Sequence, residues 1–302
     1  MRVILRNLRF IAVATIAMLI GVTATQVLGQ DDTKAKNHAK AEYKDKAEFK
    51  DKAKGFCSNN SWSSDDKVSF SELREITTTA SGTVNVDGGQ NGGISVKGED
   101  RGDILIRACV QVWAPTDAAA RAAASNIRIG SAGGMIKADG ADGDKNWSVS
   151  YQILAPRSTN LSLKAHNGGI SVSSIDGSSE FETMNGGVSV SNASGSVKGR
   201  TMNGGVNVVL SGSSWKGSGL DVSTTNGGIN LVMPANFAAR VETATVNGGF
   251  SSEIPALQAE KSDKERGHRA TKISADLNGG GAPIRIVTTN GGVRISTPNE
   301  KQ

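Results

Sequence analysis

Residues 167–202 read NGGISVSSIDGSSEFETM and then NGGVSVSNASGSVKGRTM, two eighteen-residue units that agree at ten positions. The opening tripeptide Asn-Gly-Gly occurs eight times, at Asn91, Asn167, Asn185, Asn203, Asn226, Asn247, Asn278 and Asn290, with gaps of 76, 18, 18, 23, 21, 31 and 12 residues. A period near twenty residues marks stacked units, each of which buries its apolar side only against the next.

An apolar residue alternates with a polar one after the tripeptides: Ile94-Ser95-Val96, Ile170-Ser171-Val172, Val188-Ser189-Val190, Val206-Asn207-Val208, Ile229-Asn230-Leu231 and Val293-Arg294-Ile295. That period of two belongs to a strand with one buried face. Thr183-Met184, Thr201-Met202, Thr224-Thr225 and Thr288-Thr289 stand before tripeptides and also suit extended structure. Each unit therefore reads as strand, Asn-Gly-Gly corner, strand, second glycine-bearing corner. The glycines are expected there for the positive φ that tight corners demand. An antiparallel meander is the alternative, but its hairpin turns recur at about 8–12 residues, roughly half the spacing seen. The phase-locked repeat favours a parallel β-helix with Ile, Val and Leu in inward columns and corner asparagines stacked as a hydrogen-bonded ladder.

Outside the regular units, strands are expected at Gly82–Val86, Gly92–Val96, Asp103–Trp113, Asn126–Ile129 and Trp147–Leu154. Thr116–Ser125 (TDAAARAAAS) reads as a short helix with Thr116 as N-cap and Asp117 in the first turn. Ile254–Lys272 is polar and charged and reads as an inserted loop, and the units at Asn278 and Asn290 are expected to close the stack.

The N-terminus carries Arg2, Arg6 and Arg9 ahead of the uncharged FIAVATIAMLIGV of Phe10–Val22. This is the pattern of a secretory signal over residues 1–29, with cleavage after Ala24 or Gly29; retention as a membrane anchor is the alternative. Residues 30–60 begin as a charged, proline-free segment (DDTKAKNHAKAEYKDKAEFKDKAK over Asp31–Lys54), a helical or disordered tether ahead of a β-solenoid domain over 61–300. The net charge of +5 sits in these two segments, and the remainder is balanced. Nucleic acid is thereby excluded as a partner, since it needs a basic patch on the folded domain. Membrane contact is expected only through an uncleaved N-terminal segment. Two cysteines, Cys57 and Cys109, most simply form one disulfide in an exported chain, with two buried thiols as the alternative.

Taken together, the signal segment, the run Ala108-Cys109-Val110-Gln111-Val112-Trp113, the alanine-rich helix and the NGG-(I/V)-x-V units resemble a bacterial family known as "putative adhesin", a domain of unknown function. The resemblance spans roughly residues 68–298. It implies a single-stranded right-handed β-helix in the cell envelope, and it transfers no catalytic residues.

Motifs of chemistry are scarce. No GxSxG, HExxH, Walker loop or dinucleotide fingerprint occurs. Of the histidines, His38 lies in the charged segment and His268 in the expected loop, and His166 fills a corner slot taken by Thr or Met in sister units. Asp139, Asp142 and Asp144, with Asn146, form one acidic run that suits calcium by ligand hardness, but it fails the EF-hand template. A solvated turn is the plainer reading. Among the regular units the carboxylates Asp176, Glu180, Glu182 and Asp221 are candidates for glycoside chemistry, which needs two acids across one bond. No cofactor is expected. The sequence thus points to a non-catalytic exported envelope protein, an adhesin or surface scaffold facing glycans or envelope proteins. A carbohydrate-active β-helix enzyme and a membrane-tethered sensor accessory are the alternatives.

Overall fold

In the computed structural model, which describes residues 55–57, 67–80, 82–140, 146–258 and 271–298, every regular repeat unit lays down two strands. The chain divides into two units, Met1–Phe56 and Cys57–Gln302. Only Gly55 and Phe56 of the first are described, so the expected signal (1–29) and nearly all of the tether (30–60) lie outside the described residues. The second unit carries the fold.

Four successive coils run through β8 (Asn160–Ala165) and β9 (Ile170–Ser173), β10 (Ser178–Thr183) and β11 (Val188–Ser191), β12 (Ser196–Asn203) and β13 (Val206–Val209), and β14 (Gly219–Asn226) and β15 (Ile229–Val232). Odd-numbered strands of this run join sheet A and even-numbered ones join sheet B, each sheet having ten strands. The pairing is parallel and in register: Val188 lies between Ile170 and Val206, and Val190 between Val172 and Val208. Inward side chains of both sheets meet in one apolar core. Size is compensated along the columns. Phe181 lies between Leu163 and Gly199, and a Cβ at Gly199 would strike the Phe181 ring.

The all-β expectation holds, but the sheets are mixed rather than wholly parallel. In sheet A, β1 (Val68–Thr79), β4 (Asp103–Ala114) and β7 (Trp147–Pro156) pair antiparallel. In sheet B, β5 (Arg128–Gly130) with β6 (Met135–Asp139), and β16 (Ala239–Asn247) with β18 (Thr271–Leu277), do the same. The reason lies in the connection: β3 (Ile94–Glu99) is joined to β4 by residues 100–102 alone, too few for a parallel crossover, so β4 runs back against β7, which is parallel to β3. In β4, DILIRACVQVWA, one face is wholly apolar, and Leu105, Cys109 and Trp113 on the other alternate with Asp103, Arg107 and Gln111. The helix α1 (Asp117–Asn126) packs on β1 and β4, with Ala120 and Ala124 buried, and Cys57 is bonded to Cys109 with Cα atoms 5.3 Å apart. Thr116 caps α1 as expected, accepting from the Ala119 N–H at 3.2 Å.

Spatial order departs from chain order at both ends. The coil of β2 (Thr83–Asp87) and β3 stacks directly on β8 and β9, and residues 100–159 add to its other side, β7 on β3 and β6 on β2, before the chain returns to β8. At the other end, β19 (Pro283–Asn290) and β20 (Val293–Ser296) slot between the coil of β14 and β15 and that of β16 and β17 (Phe250–Ser252). The unit at Asn290 is therefore internal to the stack, contrary to the expectation that it closes the end. In sheet B the terminal strand at this end is β18, which begins at Thr271 and Lys272 inside the expected loop and runs up to Asn278.

Candidate functional site

Outward side chains of sheet B form two charged columns. Strand alternation and register place Ser162, Glu180, Lys198, Asp221, Arg285 and Glu242 side by side in one. The other runs Lys137, Asp87, Lys164, Glu182, Arg200. Sign alternates along both. Arg200 meets Glu182 at 2.8 Å, Arg285 meets Asp221 at 2.8 Å, and Lys137 meets Asp87 at 3.6 Å. The Glu182 carboxylate, first by its hydrogen bond and then by its charge, holds the Arg200 guanidinium above its ordinary value. Between the columns lies an open groove of about 520 Å³, floored by Leu163, Phe181 and Gly199.

Sheet A presents a different outer face. Ser95, Ser171, Ser189, Asn207 and Asn230 occupy one column, with the Asn230 amide donating to Asn207 at 2.8 Å. This column is small-chained and uncharged.

Between the faces runs the Asn-Gly-Gly ridge. Asn91, Asn167, Asn185, Asn203, Asn226, Asn290 and Asn247 form a continuous ladder, each amide from Asn167 onward donating to the side-chain oxygen of the asparagine before it at 2.7–3.0 Å. Asn278 stands apart. Its φ is 50°, it heads the turn between β18 and β19 with Gly279 and Gly280, and its side chain donates to the backbone oxygens of Ala235 and Phe237.

Under the ladder is a second one that the sequence reading did not identify. Thr183, Thr201, Thr224, Thr288 and Thr245, two residues before their asparagines, are buried, and each hydroxyl donates to a glycine carbonyl of the neighbouring coil at 2.7–2.8 Å. The signal was the fixed spacing Thr-x-Asn-Gly-Gly, which states the bond once register is known.

The glycines are needed for a reason other than the expected one. No glycine of the in-phase tripeptides has positive φ. A Cβ at the first glycine (Gly168, Gly186, Gly204, Gly227, Gly291) would instead collide with the glycine carbonyl of the adjacent coil. Positive φ falls at the second corner, on Ser174, Asn192, Gly195 and Gly217.

Of the candidate acids, Glu180, Glu182 and Asp221 share the groove, whereas Asp176 sits at a corner accepting from the Ser194 hydroxyl at 2.5 Å. Asp139 is exposed at the end of β6, and Asp142 and Asp144 lie outside the described residues. Among the described residues no group of three or more His, Cys, Asp or Glu is placed to hold a metal. His166 sits on the ridge, its carbonyl accepting from the Asn185 N–H at 2.7 Å.

Several solved structures are similar at a distance, three of them as follows. A "putative cell adhesion protein" from Clostridium sporogenes shares 10% identity over 76% of this chain and 100% of its own, with a TM-score of 0.36. A "putative adhesin" from Bacteroides fragilis shares 13% over 75% and 97%, at 0.27, and a "putative lipid binding protein" from Parabacteroides distasonis shares 11% over 74% and 96%, at 0.30. Likenesses this remote carry no weight in assigning fold or function. Comparison with curated proteins finds no match. The profile of the Toastrack family, DUF4097, matches residues 67–296, the span of the paired strands and the Asn-Gly-Gly ridge, and the chain therefore belongs to that family.

Proposed function

We propose that this is an exported, non-catalytic envelope protein, an adhesin or surface scaffold that offers its two long sheet faces to glycans or envelope proteins. In this reading residues 1–29 direct export and the coils of 160–232 wind as a single-stranded right-handed β-helix. The observation that carries it is the pairing in the groove. Glu182 and Asp221 are each tied to an arginine of the neighbouring coil, which suits a contact surface rather than a pair of acids free to exchange protons. The Cys57–Cys109 bond suits an oxidising compartment.

Fractionation of cells followed by a glycan array tests the reading. Recovery at the surface or in the medium, with glycan or cell binding that weakens in Arg200→Glu, supports it. Release of sugar products from polysaccharide would make the protein an enzyme and overturn it. Tight inner-membrane recovery with no binding would favour the sensor alternative.

A further inference from the structure

The ridge slot immediately before the ladder asparagine is filled, coil by coil, by Gln90, His166, Met184, Met202, Thr225, Thr289 and Val246. Three consecutive occupants, His166, Met184 and Met202, carry soft or borderline metal donors. Their backbones are stacked: the Asn185 N–H donates to the His166 oxygen and the Asn203 N–H to the Met184 oxygen, both at 2.7 Å. Parallel strands set such equivalent residues about 4.8 Å apart. Met184 and Met202 are 40% and 49% exposed, an unusual place for two adjacent thioethers.

We propose that His166, Met184 and Met202 form a site for a soft monovalent cation, Cu(I) or its redox-inert equivalent Ag(I). A thioether side chain of three rotatable bonds can swing along the ridge, so sulfurs from neighbouring coils reach an ion placed over the middle slot. One imidazole nitrogen completes the set. Thioether and imidazole without a carboxylate select Cu(I) over calcium, magnesium or manganese by softness. Both cysteines of the chain are in the disulfide, so no thiolate competes for the ion. The fold also makes the site separable from stability, because threonine occupies the same slot at Thr225 and Thr289. The inference stands independently of the adhesive reading.

The test is titration of the full disulfide-bonded chain, labelled at its methionine methyl groups, with Ag(I), which needs no reductant. The Met184 and Met202 methyl resonances should shift together and saturate at one ion per chain, while Met135, exposed on β6, stays put. Zn(II) and Ca(II) should leave them unmoved. The triple variant His166→Thr, Met184→Thr, Met202→Thr, checked for native circular dichroism, should bind Ag(I) at least tenfold more weakly, and Met135→Leu should bind as the parent does. Unmoved Met184 and Met202 resonances, an equal response to Zn(II), or a triple variant with parental affinity would each overturn the site.

Discussion

Replacing Gly186 by alanine should damage the protein far more than replacing its neighbour Gly187, although both belong to the same tripeptide and neither has positive φ. A Cβ at 186 would run into the Gly168 carbonyl and the Gly169 nitrogen, which are backbone atoms and cannot swing aside. Relief requires the coils to part locally. Parting them weakens the Asn185–Asn167 ladder bond of 2.8 Å and the Thr183 bond to the Gly168 oxygen of 2.7 Å. Two hydrogen bonds at about 1 kcal/mol each and an overpacking strain of about 1–3 kcal/mol sum to a loss of about 3–5 kcal/mol. At 187 the nearest atom to an added Cβ is the Gly205 oxygen at 3.5 Å, ordinary contact. There the reduced freedom of the unfolded chain offsets any crowding, and the change should stay within about 1 kcal/mol.

Equilibrium denaturation in guanidinium with the disulfide intact measures both variants, read as a midpoint shift at constant slope. The pair Gly204→Ala and Gly205→Ala repeats the comparison one coil on, with the same collision at the first position and 3.5 Å clearance at the second. Equal losses within either pair, or a Gly186→Ala loss below about 1 kcal/mol, would refute coil-to-coil contact as the reason for the first glycine.

Thr201→Val removes the hydroxyl that donates to the Gly186 oxygen at 2.8 Å from a buried site and should cost about 1–2 kcal/mol by denaturation, whereas Thr225→Val on the exposed ridge should be silent. Cys57→Ser with Cys109→Ser opens a bridge of sequence separation 52; about 2–4 kcal/mol should be lost, seen as a melting point lower by about 10 °C. Val188→Asp places an unpaired charge in a core column between Ile170 and Val206 and should abolish the native circular dichroism. The Thr297 N–H, then its hydroxyl, then the Arg294 charge hold the Glu253 carboxyl below its ordinary value. A carboxyl lowered on folding stabilises above its unfolded value and loses that contribution as pH falls through the folded one. Glu253→Gln should therefore be less stable than the parent near pH 7, with the difference gone in strong acid; a difference that persists there would remove the link to ionisation.

What could be read from sequence and what could not divides along a physical line. Positions that repeat in phase were legible, because Val188, Val206 and Ile229 occupy the same place for the same reason and the alternation around them admits only one buried face. The helix at Thr116 was legible from its cap. The order of coils was not, since Asn247 and Asn290 are equally good neighbours for Asn226 by local chemistry, and only the pairing of β14 with β19 shows which is adjacent. The antiparallel strands were missed for a related reason. A run such as Asp103–Ala114 declares one wholly apolar, buried face without declaring in which direction its partners run. The glycines of the in-phase tripeptides, expected for positive φ, are needed for close approach instead, because a steric demand from the neighbouring coil leaves the same residue type behind as a demand on φ.

The groove illustrates a further consequence of in-register stacking. Identical residues brought side by side about 4.8 Å apart help one another when they are asparagine, whose amide donates while its carbonyl accepts, and repel when they carry like charge. A ridge can therefore repeat Asn without limit, but a charged column must change sign at each step. Glu180, Lys198, Asp221, Arg285 and Glu242 do so although two of these steps join residues 43 and 64 apart in the chain. The signs thus match the spatial order of coils and not the chain order, so pairing across coils is itself a constraint on which coil may sit beside which. A face built this way has strong local fields and little net charge. It discriminates partners by the spacing of their charges, and a uniform polyanion, attracted at one step and repelled at the next, gains little from it.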